Sequence, residues 1–358
     1  MTRYKLSEIC KIVSGSTPKT NVPEYWDGEN VWITPAEITD KTFIVYDSQR
    51  KLSNLGVEKT HLSSFPKGTV ILSSRAPIGK VAIAGVEMFC NQGFKNLICS
   101  EKIMNEYLYW FLKGKTKYLN SLGRGATFKE LSAKIIGNIE LEVPSIQEQK
   151  EVVIRLRKID QIIGVFKREV ELLDELIKAR FVEMFGEIED CDKWESKIWN
   201  EVVTIKNGRD YKKVLVSDGG YPVVGTGGEI ARASKYLCPE NTIVVGRKGS
   251  INNPMLMKEK FWNVDTAFGV IPNSDYLHYQ YFYYFCKFYN FMKLNKATTL
   301  PSTTKADLLK IRINIPPLEL QNQFASFVEE IDKSRSRIQK SLEASQELFD
   351  SLMQEYFG

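Results

Sequence analysis

The sequence predicts an α+β protein made of two copies of one unit, each a mixed α/β module followed by a long helix. The first observation is a repeated phrase, since IELEVPSIQEQ begins at Ile139 and IRINIPPLELQ begins at Ile311, 172 residues later. The second is a heptad pattern of apolar residues that follows each phrase. The third is that short β-branched runs and aromatic-rich helical patterns precede the phrase in both halves.

The repeat extends well beyond this phrase. When Pro144 is aligned with Pro316, further residues of the two halves match after small insertions. The stretch EICKIVSG, which ends at Gly15, resembles EVVTIKNG, which ends at Gly208. The other matched pairs are Arg75 with Arg247, Phe94 with Phe268, Tyr107 with Tyr281, Thr127 with Thr299, Ile159 with Ile331, and Phe185 with Phe357. A repeat with this many matches indicates an internal duplication.

Each module contains short strand-like runs and one aromatic-rich helical run. TVILSSR, KVAIAGV and KNLICS have the composition of strands in the first module. Residues 105–113 and 279–288 have helical spacing and carry many aromatic rings. Such rings can stack on nucleic-acid bases, but their spacing favours packing in the core.

The region after each phrase predicts a long helix, over residues 145–186 and 317–357. Apolar residues recur there at alternating steps of four and three, the pattern of a coiled-coil seam. Proline precedes both helices, where it is tolerated. The seam of the first helix consists of Val152, Leu156, Ile159, Ile163, Phe166, Val170, Leu173 and Ile177. The seam of the second helix consists of Phe324, Val328, Ile331, Ile338, Leu342, Phe349 and Leu352, and it continues to Tyr356.

Each long helix has one apolar stripe to bury, and the other helix is the nearest partner for it. An antiparallel coiled coil would hold the two modules apart, related by a pseudo-two-fold axis. Proteins that read two half-sites on one DNA duplex have this kind of symmetry. A parallel pair, or a seam used for another subunit, also fits the pattern.

Composition is compatible with several partners and excludes a membrane span. The chain of 358 residues is long enough for two domains of ordinary size. It has 49 Lys and Arg residues against 44 Asp and Glu, a net charge of +5 that permits a nucleic-acid partner without proving one. No apolar run approaches the length of a membrane span, so no membrane partner is expected. The six cysteines form no CxxC motif and are expected to be free thiols.

We find no catalytic apparatus in the sequence. The Gly79-Lys80 pair lacks the rest of a phosphate-binding loop, because Ser74 replaces its first glycine and Val81 its final Ser or Thr. GTGGEI lacks the third glycine of a dinucleotide fingerprint, and no amino-methyltransferase motif is present. The two histidines, His61 and His278, are too few for a histidine metal cage. No catalytic residue, metal site or cofactor is therefore predicted in this chain.

Motifs throughout the chain resemble those of the specificity (S) subunit of type I restriction–modification systems. In the first module they are SGSTP (14–18), VWITPAEI (31–38), FPKGTVILSSRAPIGKVAI (65–83), NQGFKNLI (91–98), GATFKELS (125–132) and VPSIQEQ (143–149). In the second module they are GRKGS (246–250), NVDTAFGV (263–270) and IPPLELQNQF (315–324). LIKARFVEMFG (176–186) and LMQEYFG (352–358) resemble the ends of the family's spacer helices. The order and duplication of these motifs cover essentially the whole chain.

The resemblance implies a non-catalytic subunit that recognises double-stranded DNA. Two target-recognition domains would each read half of a split sequence, and the long helices would measure the unread gap. The helices would also dock two methyltransferase (M) subunits, which restriction (R) subunits then join. The M subunits would methylate adenine N6 with S-adenosylmethionine, and the R subunits would cleave DNA with ATP, with Mg²⁺ also bound in the partner subunits. Such a complex is expected in the prokaryotic cytoplasm, on the nucleoid.

The resemblance also sets the expected domain boundaries. Residues 1–143 would form target-recognition domain 1, residues 144–187 the central spacer helix, residues 188–315 target-recognition domain 2, and residues 316–358 the distal spacer helix. The second module lacks an equivalent of the WITP stretch, and PSTTK (301–305) replaces FKELSAK. The two domains are therefore expected to read different half-sites.

Candidate DNA-contacting residues are cations for phosphates and amide, hydroxyl or guanidinium groups for base edges. Arg75 and Arg247 are favoured because both follow a strand, where a loop would point outward. The alternative for each candidate is a solvated turn without a partner. The candidates in the first module are Ser16, Thr17, Lys19, Arg75, Lys80, Asn91, Gln92, Lys95, Arg124, Thr127 and Lys129. The candidates in the second module are Asn207, Arg209, Tyr211, Lys212, Arg247, Lys248, Asn252, Lys296, Thr299 and Lys305.

Two other functions fit parts of the pattern. A coiled-coil scaffold that joins proteins without binding DNA would explain the helices, but not the basic glycine-containing loops of both modules. A methyltransferase subunit with a fused specificity region would need a cofactor motif, which is absent. Duplex binding that weakens steeply with salt would separate the DNA-recognition hypothesis from the scaffold.

Overall fold

The computed structural model describes residues 2–75, 77–125, 129–188, 193–297 and 299–358. The chain forms two compact units. Unit 1 consists of Met1–Val165 and Ser341–Gly358, and unit 2 consists of Phe166–Lys340. Each unit contains one of the two modules and a part of each long helix.

Unit 1 is a mixed α/β structure. Its strands are β1 (Thr2–Lys5), β2 (Cys10–Ser14), β3 (Trp26–Ile33), β4 (Ile44–Val45), β5 (Arg50–Leu52), β6 (Val70–Leu72), β7 (Val81–Ala84), β8 (Phe89–Cys90), β9 (Lys95–Cys99) and β10 (Glu140–Val143). Its helices are α1 (Leu6–Ile9), α2 (Asn54–Thr60), α3 (Asn105–Gly114), α4 (Thr116–Leu122), α5 (Ala133–Gly137) and the first part of α6 (Ile146–Phe185).

Three sheets make up the strand layer of unit 1. The largest has the order β2-β9-β6-β7-β4, a second has the order β5-β3-β8, and β1 pairs with β10. One face of the largest sheet and the aromatic residues of α3 belong to the same buried cluster, which also includes Leu156 and Phe357 of the long helices. The aromatic rings of α3 are therefore core residues, as their helical spacing indicated.

Unit 2 repeats this plan. Its strands are β11 (Ser196–Ile198), β12 (Val203–Asn207), β13 (Leu215–Val216), β14 (Tyr221–Gly225), β15 (Gly228–Ala233), β16 (Thr242–Gly246), β17 (Met255–Met257), β18 (Trp262–Asn263), β19 (Ala267–Pro272) and β20 (Arg312–Asn314). Its helices are α7 (Trp199–Val202), α8 (Tyr279–Phe288), α9 (Lys305–Leu308), the second part of α6 and the first part of α10 (Leu318–Phe357).

The sheets of unit 2 correspond to those of unit 1. The order β12-β19-β16-β17 matches β2-β9-β6-β7, and β11 pairs with β20 as β1 does with β10. Among the strands that the structure describes, β4 has no counterpart in unit 2, so β17 is an outer strand. The other sheet has the order β13-β15-β14-β18, in which β14 and β18 are parallel, as β3 and β8 are.

The strand registers correct one match made from the sequence. Val70 lies opposite Leu97, and Ile243 lies opposite Val270, so the two ladders are equivalent at an offset of 173 residues. Phe94 therefore corresponds to Ala267 and not to Phe268. A shift of one residue moves a side chain to the other face of a sheet. Accordingly, Phe94 and Phe268 lie in clusters on opposite faces of their sheets.

Helices α6 and α10 run antiparallel in unit 2. Phe181 of α6 contacts Phe324 of α10, with ring centroids 5.5 Å apart, whereas Asp174, two turns earlier, accepts a hydrogen bond of 2.9 Å from Arg335 further along α10. In unit 1, Arg155 near the start of α6 donates to the Tyr356 hydroxyl near the end of α10 at 3.1 Å. All fifteen predicted seam residues are buried or half-buried.

Arg335 occupies the seam position between Ile331 and Ile338, and a polar contact in unit 2 explains why this position is not apolar. Its guanidinium and the Lys287 ammonium both lie within 3.2 Å of the Asp174 carboxylate. Partial burial alone would raise the pKa of Asp174, but the hydrogen bonds from Arg335 and Lys287 hold it below its usual value. A single polar pair in an apolar seam fixes the register of two helices.

Local signals define the ends of α6. Ser145 and Glu148 form a capping box, in which the Glu148 carboxylate accepts from the Ser145 N–H at 2.9 Å. At the other end, Gly186 has φ 88°, the left-handed conformation that glycine adopts after a helix. None of the described helices is both long and apolar enough to cross a membrane. The cysteines of the described part of the chain are free thiols.

A buried glutamine in each copy of the repeated phrase joins the long helix to its module. The Gln149 side chain accepts from the Met104 N–H at 2.8 Å and donates to the Lys102 and Pro144 carbonyls at 3.0 and 2.9 Å. Gln321 repeats these bonds with His278, Tyr276 and Pro316, at 2.7, 2.9 and 2.8 Å. Both side chains are fully buried. The phrase is duplicated because each copy ties a long helix to the N-terminus of α3 or α8.

Replacing Gln149 or Gln321 with methionine should destabilise the protein. The substitution keeps the approximate side-chain volume but removes the hydrogen-bond partner of one N–H and two carbonyl groups. Each unpaired group costs about 1–3 kcal/mol, so we expect the free energy of unfolding to fall by at least about 2 kcal/mol. Urea unfolding measures this change. Gln147→Met and Gln323→Met, at exposed positions of the same helices, are the matched controls, and an equal effect in test and control variants would contradict the assignment.

Candidate nucleic-acid interface

Four of the predicted DNA-contacting residues meet in one concave surface of unit 1, which we call groove 1. Arg75, Lys80, Asn91 and Gln92 line this groove, whose volume is about 370 Å³. The Lys80 ammonium donates to the Pro35 carbonyl at 2.8 Å, which fixes it at the wall. Groove 1 thus combines cations with side-chain amides, the two kinds of group that a nucleic-acid surface needs.

A close approach of two backbones places the loop after β2 beside groove 1. A Cβ atom at Gly15 would overlap the carbonyl oxygens of Cys90 and Asn91, so only glycine fits there. The next residue, Ser16, donates its N–H to the Cys90 carbonyl at 3.0 Å. The Trp32 indole N–H donates to the Ser16 carbonyl at 3.1 Å. These bonds leave the Ser16 side chain exposed.

The same loop is joined to the groove by a side-chain contact. The Thr17 hydroxyl donates to the amide oxygen of Gln92. This contact orients the Gln92 amide, which is otherwise exposed. Lys19, further along the loop, is also exposed. Thr17, Lys19 and Gln92 therefore belong to one continuous surface with groove 1.

Arg75 is paired with a carboxylate that the sequence analysis did not select. Its guanidinium lies 3.0 Å from Glu130, and Lys95 lies 3.6 Å from the other oxygen of the same carboxylate. The hydrogen bond from Arg75 is the main reason that the pKa of Glu130 lies below its usual value, and the charge of Lys95 adds to it. Arg75 is exposed, whereas Lys95 is only 8% exposed. Lys95 therefore supports Glu130 from beneath the surface.

The remaining candidates of the first module lie near Glu130 in the chain. Arg124 pairs with Glu130 through backbone hydrogen bonds of 3.1 and 2.9 Å, and its side chain is exposed. Lys129 is exposed as well. Thr127 lies outside the described residues. The pairing with Glu130 brings this loop next to Arg75.

The second module contains the same loop geometry after β12. A Cβ atom at Gly208 would overlap the Val264 carbonyl, as one at Gly15 would overlap its neighbours. Arg209 donates its N–H to the Asn263 carbonyl at 3.0 Å and accepts from the Trp262 indole at 2.9 Å. Asn207 and Arg209 are exposed on either side of the glycine. The duplicated glycine thus marks the same close approach in both modules.

The structure also corrects the match between Arg75 and Arg247. The backbone of Arg75 bridges to Glu130, and that of Lys248 bridges to Ser302, which is the equivalent of Glu130. Arg75 therefore corresponds to Lys248, one residue beyond the match made from the sequence. A cation occupies the position in both modules, and both side chains are exposed.

Arg247 is held by the loop that precedes β19. Its N–H donates to the Thr266 carbonyl at 2.8 Å, and its guanidinium donates to the Asp265 carbonyl at 3.3 Å. The carbonyl of Arg247 accepts from the Thr303 N–H at 3.0 Å. The segments around residues 247, 265 and 303 are therefore brought together, and the Arg247 side chain is exposed between them.

All the other candidates of the second module except Tyr211 are exposed, and three of them also have local partners. Lys212 and Thr299 are exposed, and Tyr211 is half-buried. Three form local bonds: the Asn252 amide oxygen accepts from the Phe291 N–H at 2.7 Å, Lys296 pairs with Asp307 at 2.8 Å, and Lys305 donates to the Ile205 carbonyl at 2.9 Å. The last three side chains stabilise the loops that carry them.

Sequence reasoning missed several residues that shape these surfaces. Glu130, which pairs with Arg75 at 3.0 Å, was not selected from the sequence. Trp32 and Trp262 were not selected either, although they are buried and their indole N–H groups bond to the two glycine loops. The signal in the sequence was the glycine that precedes Ser16 and Arg209, the residues whose carbonyls accept from the two indoles.

The family follows from comparison with known proteins. A family model described as "Type I restriction modification DNA specificity domain" matches residues 1–173 and 191–346. The chain belongs to this family. It is the DNA specificity subunit of a type I restriction–modification system, a non-catalytic subunit with target-recognition domains. Specificity subunits assemble with M and R subunits on DNA, and the cofactors reside in those partners.

Individual relatives match along almost the whole chain. The specificity subunit of the type I restriction enzyme MjaIX from Methanocaldococcus jannaschii is 28% identical over 98% of this chain and 90% of its own length. The crystal structure of the S subunit from M. genitalium covers 100% of this chain and 96% of its own, with a TM-score of 0.64 and 15% identity. A structure from a study of complex assembly and conformational transition of the type I system covers 99% and 97%, with a TM-score of 0.62 and 16% identity. The two structures support the same fold.

Proposed function

We propose that the two modules of this specificity subunit, residues 1–143 and 188–315, each read one half of a split target in double-stranded DNA. Residues 144–187 and 316–358 set the unread gap between the half-sites and dock two M subunits. Groove 1 carries this proposal, because it gathers Arg75, Lys80, Asn91 and Gln92 in one concave surface. We place the assembled complex in the prokaryotic cytoplasm, on the nucleoid, since DNA is its ligand.

Exposure divides the candidates into those that reach DNA and those that support them. The exposed members of the set are Ser16, Lys19, Arg75, Gln92, Arg124, Lys129, Asn207, Arg209, Lys212, Arg247, Lys248, Asn252, Lys296, Thr299 and Lys305. Arginine and lysine contacts to phosphate supply affinity, and contacts to base edges supply specificity. Because the exposed residues of the two modules differ in type, the half-sites that they read should differ in sequence.

Binding of the complex with M to a short duplex, measured between about 50 and 200 mM salt, tests the proposal. A protein that makes Z phosphate contacts shows a slope of about −0.9Z in a plot of log affinity against log salt. We expect a steep slope for the assembled complex. Binding that does not depend on salt would contradict a phosphate-contacting surface. As a control, the chain without its partners should not methylate or cleave DNA when S-adenosylmethionine, ATP and Mg²⁺ are supplied.

A second apolar stripe on α6 supports the docking of M subunits. Ile154, Ile162, Val165, Leu172 and Leu176 are each between 44% and 56% exposed. At 100° per residue they fall on one face of the helix, away from the seam. A row of exposed apolar side chains marks a protein-interaction surface. Sequence reasoning missed this stripe because the stronger seam pattern accounted for the apolar content of the helix.

Val165→Glu should weaken the assembly of the complex without unfolding the specificity subunit. Val165 is 56% exposed, so a carboxylate there remains solvated in the free chain but would be buried against a partner. We expect at least a tenfold loss of affinity for M, measured by analytical ultracentrifugation. Lys167→Glu, at an exposed position on another face, is the control. Equal affinities for M in both variants would remove the stripe from the interface.

A further inference from the structure

Unit 2 contains an open cavity that the DNA-reading surface does not use, and we call it the α8 pocket. Its volume is about 470 Å³, and it lies beside β17, α8 and the two long helices. Gln280 lines it and is only 3% exposed, yet its amide oxygen has no hydrogen-bond partner among the described residues. A buried acceptor without a donor is costly. An occupant that donates a hydrogen bond to this oxygen would therefore be stabilised in the pocket.

The repeat within the chain identifies the equivalent place in unit 1. Ile83 of β7 lies opposite Val70, and Leu256 of β17 lies opposite Ile243, so Ile83 and Leu256 are equivalent. The Met104 and His278 N–H groups bond in the same way to Gln149 and Gln321, which aligns α3 with α8 at an offset of 174 residues. Pocket residues Gln280, Tyr283 and Tyr284 therefore correspond to Glu106, Tyr109 and Trp110.

In unit 1 this place is filled by Phe43. Its ring centroid lies 4.7 Å from that of Tyr109 and 6.1 Å from that of Trp110, and the Arg157 guanidinium lies 5.2 Å from it. Arg157 also donates to Glu106 at 3.2 Å. The aromatic ring and the cation thus close the space between α3 and the long helix.

The pairing of strand β4 with β7 positions Phe43, which immediately precedes β4. Strand β4 runs parallel to the edge of β7, and the Ile83 N–H donates to the Phe43 carbonyl at 2.9 Å, while the Gly85 N–H donates to the Val45 carbonyl at 2.7 Å. An aromatic residue followed by two aliphatic ones, Phe43-Ile44-Val45, therefore occupies both the sheet edge and the space beside it.

Unit 2 offers the same edge without a strand on it. Among the described residues no strand pairs with the outer side of β17, and the register directs the Leu256 N–H away from β16, as it directs the Ile83 N–H away from β6. The position of Arg157 is taken by Glu329, so Gln280 also lacks the cation that Glu106 has. A partner that supplies a donor for Gln280 and a ring beside Tyr283 would complete this place as Arg157 and Phe43 complete it in unit 1.

We propose that the α8 pocket and the edge of β17 bind an extended segment of the M subunit, in which an aromatic residue precedes two aliphatic residues. The segment adds a strand to the sheet, as β4 does in unit 1, and its aromatic ring enters the pocket. The choice of M rests on the proposed function, in which M docks on the long helices. Val328 and Asp332 of α10 line the pocket, so the pocket adjoins that docking surface. A polar hydrogen on the segment pairs with the Gln280 amide oxygen.

A peptide from the chain itself is the probe for this site. Labelled KTFIVYD, residues 41–47, is titrated with the purified full-length chain, and fluorescence anisotropy is measured. We expect saturable binding of one peptide per chain, at least tenfold weaker when alanine replaces its phenylalanine. Equal affinity of the two peptides, or no saturable binding of either, would overturn the proposal. This comparison uses the unaltered chain and does not depend on the folding of a variant.

Two substitutions at Leu256 distinguish the loss of the strand-edge hydrogen bond from a general loss of structure. Leu256→Pro removes the outward N–H, and proline is tolerated at the edge of a sheet. Leu256→Ala keeps the N–H and is the matched control. We expect the proline variant to bind the peptide at least tenfold more weakly than the alanine variant. Equal binding by two variants with unchanged circular dichroism would show that the edge is not used.

A photo-crosslinking residue at Lys258, in the assembled complex with M, identifies the partner. The expected adduct is with one extended, aromatic-bearing segment of M, and excess KTFIVYD should suppress it. An adduct with a helix of M, or no adduct with M, would overturn the proposed occupant. Methylation of the target by the same complex is measured in parallel. Failure of methylation would count against the proposed function, whereas the peptide titration decides the pocket independently.

Discussion

Lengthening both long helices by four residues is expected to lengthen the unread gap by one or two base pairs and to leave both half-sites unaltered. Four helical residues add about 6 Å, and each base pair advances the duplex by about 3.4 Å. Four residues also complete nearly one helical turn, so the apolar seam stays roughly in place, with a stutter. The measurement is the methylated sequence in cells that carry the variant and its M subunit.

The contact between Asp174 and Arg335 fixes where the insertions belong. Because the helices are antiparallel in unit 2, residues inserted after Leu173 lie opposite residues inserted after Arg335, and the bond of 2.9 Å between Arg335 and Asp174 is kept. Inserting two residues at each place is the contrasting variant. It rotates the seam by about 200° and should abolish assembly with M. If the four-residue variant methylates the original gap, the helices do not set it.

The second large effect is expected at Arg75. Replacing it with alanine should relax recognition in one half-site only, because a bidentate arginine–guanine contact contributes about 1–3 kcal/mol, or roughly 5- to 150-fold in affinity. Lys248→Ala, at the equivalent position of the other module, should alter only the other half-site. The methylomes of the two variants make the comparison. Unchanged methylomes for both variants would place these residues away from DNA.

Glu130→Gln is the companion variant, because it keeps Arg75 and removes its carboxylate partner. Glu130 holds Arg75 at 3.0 Å and adds a negative charge beside groove 1. Its removal should raise the affinity for non-specific duplex by about two- to fivefold, since the repulsion of phosphate is lost. The effect should shrink at high salt. A lower affinity would contradict this prediction, because it would show that the contact of Glu130 with Arg75 contributes more to binding than the repulsion of phosphate costs.

The duplication and the long helices could be predicted from the sequence because both depend on periodicity. The helices were expected over residues 145–186 and 317–357 and extend over Ile146–Phe185 and Leu318–Phe357. Proline, the capping pair of Ser145 and Glu148, and Gly186 are local signals that act within a few residues. Pairing of the two helices was expected because each stripe needs a partner, whereas the pattern allowed either direction of pairing.

Register could not be predicted in the same way. Phe94 and Phe268 look equivalent in the sequence, but strand pairing makes Phe94 equivalent to Ala267, and the alternation of side chains then separates the two rings. The match of Arg75 with Arg247 was wrong by one residue for the same reason. Contacts between strands that are distant in the sequence set the register, and similarity of residue type does not reveal a shift of one residue.

Site residues were predictable by type and less so by role. Arg75, Lys80, Asn91 and Gln92 were chosen for their chemistry, and the fold gathers them in groove 1. Lys95 was chosen for the same reason but is only 8% exposed, on strand β9 between β2 and β6. The sequence shows which side chains are cationic, whereas burial depends on which strand lies next to which.

The central claim is that this chain directs methylation to a split DNA sequence. Genome-wide mapping of N6-methyladenine, in cells that express the chain with its M subunit, tests it most directly. The account predicts one motif made of two different half-sites separated by a gap of fixed length and free sequence. Substitutions in groove 1 should change one half-site, and matched helix insertions should change the gap alone. Methylation at a single uninterrupted motif, or at sites without a shared sequence, would contradict it.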